Sequence, residues 1–141
     1  MKAVMLALVA WMSANTPFDP PADTPLPSVA VEEQRVLEYM AEVPGMGIMA
    51  LYEREANRIW LSTEVDLTTV RGKSTMLHEL IHWAQEYAPS GKVYQCEGLK
   101  EFEAHAIQEE YQEAHGIEST IPWMKVYAFY RCPPPFAPGA K

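Results

Sequence analysis

Positive charge is scarce in this sequence. Eleven lysines and arginines stand against 19 aspartates and glutamates, a formal charge of −8 at pH 7. The few cations form no cluster that would hold a phosphate backbone, so nucleic acid is excluded as the expected partner. Long apolar runs are missing too. The stretch from Ala3 to Met12 has ten residues, about half of what a helix needs to span a bilayer, and no membrane span is expected in the mature protein. No internal repeat divides the chain. Cysteine is limited to Cys96 and Cys132, which are not spaced to close a zinc site but suffice for one disulfide, the arrangement expected of an exported protein. What is present is enough for one globular domain. The 141 residues are 48% hydrophobic and 11% aromatic, too few for two domains and too apolar to stay disordered.

Lys2 followed by the apolar stretch, with the small Ser13 and Ala14 after it, has the make-up of a signal peptide over residues 1–14. That predicts a periplasmic or secreted protein; a buried N-terminal helix or strand is the alternative. Residues 15–28 hold five prolines and read as an extended leader, leaving 29–141 as the folded domain. Within it, Ser28 is placed to cap a helix over 30–41, closed by Pro44-Gly45, with Val31, Leu37 and Met40 facing inward. Residues 47–52 and 58–62 read as a β-hairpin. Helices are expected over 74–88, capped by Ser74, over 97–115, ended by Gly116, and from about Trp123 to Tyr130, with Trp123 and Tyr127 packed inward. The fold class is therefore α+β, a small hairpin or sheet packed on two chemically loaded helices.

The helix from Ser74 carries His78-Glu79-Leu80-Ile81-His82, an H-E-x-x-H. Positions four apart share a helix face, so both imidazoles can reach one Zn²⁺ while Glu79 stands beside them as the general base. Apolar neighbours such as Leu77, Leu80, Ile81 and Trp83 predict burial, and buried imidazoles need partners that a metal would supply. The bland alternative is a polar stripe that His78 and His82 share with Gln85 and Glu86. A third ligand is required. One H-E-x-x-H class has a histidine six residues after the second; Ala88 occupies that position here, which excludes that class. The next polar helix offers Glu101-Phe102-Glu103-Ala104-His105 and Gln108. Glu101 shares a face with His105, Gln108 and Gln112, and the small Ala104 beside it would let two helices approach. Glu103 lies between apolar groups and is the alternative ligand.

At these residues the chain resembles the gluzincin metallopeptidases, and more closely small exported proteins with H-E-L-x-H-x-x-Q followed by E-x-E-A-x-x-x-Q. The matching segments are residues 78–85 and 101–108, about a quarter of the chain. The resemblance implies a zincin-like domain, one Zn²⁺ on His78, His82 and Glu101, and a residue at position 105 that orients a ligand histidine, where His105 replaces the usual aspartate.

The expected activity is hydrolysis of peptide or protein substrates by metal-activated water, with Glu79 as proton shuttle. Oxyanion donors are sought among His105, His115, Tyr94, Tyr111 and Tyr127, and Gln108 is a further candidate for supporting the site. The strand over 58–62 could offer an open edge to an extended peptide. A non-catalytic exported binding module with a structural or vestigial zinc site is the competing reading.

Overall fold

The computed structural model describes residues 1–42, 45, 47–87 and 91–133. Pro44, Ala88 and the proline-rich tail from Pro134 onward lie outside the described residues. Among the described residues, five helices and a small three-stranded mixed sheet make an α+β fold: α1 (Lys2–Asn15), β1 (Ser28–Glu32), α2 (Gln34–Met40), β2 (Ala50–Glu53), β3 (Arg58–Ser62), α3 (Val70–Tyr87), α4 (Glu97–Ala114) and α5 (Trp123–Tyr130).

The sheet order is β1-β3-β2. β2 and β3 form the expected antiparallel hairpin, with Leu51 opposite Trp60 and Tyr52 opposite Ile59. β1 runs parallel to β3, Val29 opposite Ile59 and Val31 opposite Leu61. Two expectations change here. Ser28 does not cap a helix but opens β1, because β-branched Val29 and Val31 find a pairing partner in β3 and the ladder overrides a local capping signal. Helix α2 is correspondingly shorter, with Leu37 buried but Val31 and Met40 exposed. Strand β3 has no open edge, since β1 covers one side and β2 the other; the open edge next to α3 belongs to β2.

Helix α3 starts four residues before Ser74. The cap is Thr69, whose Oγ1 accepts the Gly72 N–H at 3.0 Å, the bond expected between an N-cap hydroxyl and the third helical residue. Gly72 is needed there, because a Cβ would stand 1.9 Å from the Asp66 carbonyl oxygen. Ser74 is buried inside the helix, its Oγ donating to the Arg71 carbonyl and accepting from Gln112 Nε2 at 2.8 Å.

The core gathers Leu77, Leu80, Ile81 and Trp83 of α3, Ile59 and Leu61 of β3, and Ala104, Ile107 and Tyr111 of α4. It also takes in residues before position 29. Met5, Leu8 and Met12 of α1 and Phe18 are buried in the same cluster, Trp11 meets Tyr111 edge to face at 5.1 Å, and the Pro25 carbonyl accepts the Trp83 indole N–H at 3.0 Å. The Cys96–Cys132 disulfide, Cα atoms 5.8 Å apart, ties the start of α4 to the end of α5. Within α5 the buried residue is Val126, whereas Tyr127 is exposed and Trp123 half-buried with its indole N–H on Glu109. Among the described residues no helix is long and apolar enough to cross a membrane.

Candidate metal centre

Helices α3 and α4 pack together through polar side chains. Going down α4 on one face, Glu101 meets His78 and His82, Gln108 meets His78, and Gln112 meets Ser74. The spacing of 101, 108 and 112 repeats at about two turns and one turn, so all three point the same way. This face is the polar one by sequence, and it is the buried face in the fold.

At the top of this seam His78 Nε2 lies 3.1 Å from Glu101 Oε2, His82 Nε2 lies 2.9 Å from Glu101 Oε1, and the two Nε2 atoms are 3.1 Å apart. The other ring nitrogens face amide oxygens: His82 Nδ1 is 2.9 Å from Gln85 Oε1 and His78 Nδ1 is 3.2 Å from Gln108 Oε1. A carbonyl oxygen only accepts, so each Nδ1 carries a hydrogen and each ring, when neutral, offers its Nε2 lone pair to the centre. Two such nitrogens and a carboxylate converge within hydrogen-bond distance of one another. Such a set repels itself unless a proton or a metal ion lies between. Ligands sharing one tetrahedral zinc ion stand about 3.3 Å apart, so small outward shifts of these three atoms would admit it. The donor set fits a metal.

Without a metal ion, a proton takes that place. Burial alone would lower the His82 pKa, but its bond to Glu101 and the charges of Glu101 and Glu79 push it up to about 9, so a metal has to displace this proton to bind. Burial raises the Glu101 pKa, yet the bonds from His78 and His82 override it and hold the carboxyl well below the usual range. Glu79, buried beside the histidines, is pushed up by desolvation against the opposing effect of His78 and His82.

His105 lies at the side of the centre. Its Nε2 is 3.8 Å from Glu101 Oε2, its Nδ1 faces Gln108 Oε1 at 3.2 Å, and its ring sits 4.3 Å from that of His78. His78, Glu101 and His105 also form a group whose potential ligand atoms all lie within 4.8 Å of one another. Burial lowers the His105 pKa to about 4, with the neighbouring His78 acting in the same direction, and keeps the ring neutral. Glu103 is not at the centre. Its carboxylate takes bonds from Gln85 Nε2 at 3.0 Å, Lys92 Nζ at 2.7 Å and the Tyr94 hydroxyl.

The centre opens into a groove of about 1660 Å³ between β2, α3 and the α4–α5 corner. His115, Tyr94, Tyr111 and Tyr127 do not line it. Tyr111 and His115 stack against each other under Trp11, and Tyr127 packs on Phe102. Tyr130 does line the groove, and after burial the nearby charges of Glu101 and Glu79 raise its pKa. Sequence reasoning passed over Tyr130 and named Gln85 only in the alternative of a polar stripe shared with the histidines, a stripe whose His82–Gln85 bond is present. The second had a visible signal, since Gln85 follows His82 by one helical turn, but only the fold reveals that its oxygen meets the ring. Tyr130 had none, because its place depends on Gly98, where a Cβ would stand 1.6 Å from the Tyr130 carbonyl oxygen.

The sequence profile described as domain of unknown function (DUF6647) matches residues 1–138. Neither the curated proteins nor the solved structures offer a match. The chain belongs to the DUF6647 family.

Proposed function

We propose that the chain is an exported zinc-dependent peptidase in which His78, His82 and Glu101 hold the ion and Glu79 is the general base. The observation that carries this reading is the convergence of two Nε2 lone pairs and a carboxylate, with both Nδ1 atoms committed to glutamine amides. When bound, zinc would supply an acidified water and polarise the scissile carbonyl. Glu79, whose pKa burial raises, is suited to take a proton and return it to the leaving amine. The open edge of β2 supplies a docking line. Ser62 N–H donates to the Met49 carbonyl at 2.8 Å, so by strand alternation the backbone groups of Ala50 and Tyr52 face away from β3; the Tyr52 N–H bonds to the Glu79 carboxylate, which leaves Ala50 as the docking position. An extended peptide adding there would lie across Glu79, and Tyr130, which lines the same groove near Glu101 and Glu79, is the candidate donor to the developing oxyanion. Export is supported by the disulfide and by the signal-like composition of residues 1–14.

The experiment is elemental analysis together with peptide-library cleavage. One zinc per chain is expected in wild type and in Glu79→Gln, with cleavage lowered at least ~100-fold in the variant. Absence of zinc from wild type purified without chelators would sink the proposal. A second reading, a closed structural site without catalysis, is favoured by the nearness of His105 to Glu101. It requires His105→Ala to lose zinc as severely as His78→Ala; the peptidase reading requires it to keep the ion.

A further inference from the structure

We infer that Glu103 is a positioning residue for the metal centre: it fixes the orientation of the Gln85 amide and, through it, the tautomer in which His82 presents Nε2. The inference rests on the metal-site reading above and names how that site is kept ready.

An amide side chain can turn over, exchanging its oxygen and nitrogen, at little intrinsic cost. Turned over, Gln85 would face His82 Nδ1 with an NH₂ group. The ring would then accept at Nδ1 and carry its hydrogen on Nε2, the atom that has to offer a lone pair. What holds Gln85 the right way is its nitrogen side. Gln85 Nε2 donates to Glu103 Oε1 at 3.0 Å and to the Lys100 carbonyl at 3.1 Å, and neither acceptor has a hydrogen to give to a reversed amide. Glu103 is the stronger of the two because it is ionised, and charged acceptors bind hydrogen about twice as well as neutral ones. It is itself clamped by Lys92 Nζ at 2.7 Å and by the Tyr94 hydroxyl.

The two glutamates of Glu101-Phe102-Glu103 therefore address the two nitrogens of one imidazole. Glu101 faces His82 Nε2 directly, and Glu103 faces His82 Nδ1 through Gln85. Groups behind a metal ligand commonly change metal affinity by 10- to 100-fold when altered.

Zn²⁺ titration against a competing chelator and ring-nitrogen NMR of His82 test the relay. Glu103→Gln is expected to weaken zinc binding by about 10-fold. In metal-free protein above the His82 titration, it should move part of the ring population from Nδ1–H to Nε2–H. Gln85→Glu alone should also weaken binding, since two carboxylates would then face each other. The exchanged pair Gln85→Glu/Glu103→Gln should recover part of the affinity, because donor and acceptor trade places along the 85–103 bond although the Lys100 carbonyl loses its donor; a residue that only stabilised the fold would show no such rescue. If Glu103→Gln does not fold, the exchanged pair compared with Gln85→Glu carries the test. An unchanged tautomer in Glu103→Gln, or an exchanged pair no better than Gln85→Glu, overturns the inference. If wild type binds no zinc the metal reading fails, and the metal-free ring spectrum still decides the role of Glu103.

Discussion

His82 gathers most of the chemistry within reach of one side chain: a carboxylate at Nε2, an amide oxygen at Nδ1 and a second histidine 3.1 Å away. The identity of His78, Glu79 and His82 as a cluster is legible from spacing, since four residues are one turn. The choice between Glu101 and Glu103 is not: positions two apart lie about 200° apart around α4, and the sequence does not say which of the two sides meets the histidines. Packing decides it: Ala104 lets α3 approach, Glu101 meets the imidazoles, and Glu103 reaches past them to Lys92 and Tyr94. A prediction at this scale concerns Glu109, whose carboxylate joins α4 to Ser119 and to the Trp123 indole at 2.7 Å. The Ser119 bond, then the Trp123 bond, lowers its pKa. A depressed carboxyl contributes stability that is present above the unfolded pKa, about 4.3, and is lost as pH falls through the folded value. Urea melts of wild type and Glu109→Gln should differ by a constant amount above that range, under about 1 kcal/mol because the group is open to solvent screening. The two curves should converge in acid; a gap that persists there would show that ionisation is not the cause.

At the scale of elements, the α3–α4 seam and the edge of β2 define what the centre can do. Apolar periodicity and turn residues predict α3, α4, α5 and the β2–β3 hairpin to within a few residues. They fail at β1, where strand formation depends on β3, thirty residues away. They fail also in naming the open edge, since an edge is a property of the assembled sheet. If substrate adds to β2, Ala50→Pro removes an outward N–H without touching the bonds to β3, a substitution that edge strands accept. The expected result is KM raised by about 2- to 10-fold, the worth of one hydrogen bond, with kcat and melting temperature little changed. An unaltered KM would remove β2 as the docking line, and a collapse of the fold would show that this N–H is used inside the protein.

For the whole molecule, the disulfide joins two elements that both border the groove. Cys96 precedes Gly98 and Glu101, and Cys132 follows Tyr130, so the bond clamps the corner at which Tyr130 meets the first turn of α4. Closing a loop of 36 residues stabilises the fold by about 3 to 4 kcal/mol in the chain-entropy model. Denaturant midpoints with and without reductant should differ accordingly, and zinc should protect the reduced protein in proportion to its binding. A reduced form as stable as the oxidised one would show that the corner holds without the bond.

The sequence by itself determined the class of fold, the cysteine pair and the histidine–glutamate–histidine turn, because each depends on residue type or on spacing within one element. Only the tertiary structure decided that Met5, Leu8, Met12 and Phe18 join the core, that β3 is central, that Glu101 rather than Glu103 faces the imidazoles, and that Gln85 and Gln108 bond the rings from behind. The physical reason is common to all four. Each depends on how one element is rotated and placed against another distant in sequence, and such contacts depend on the packing of the whole core, which no single stretch of chain encodes.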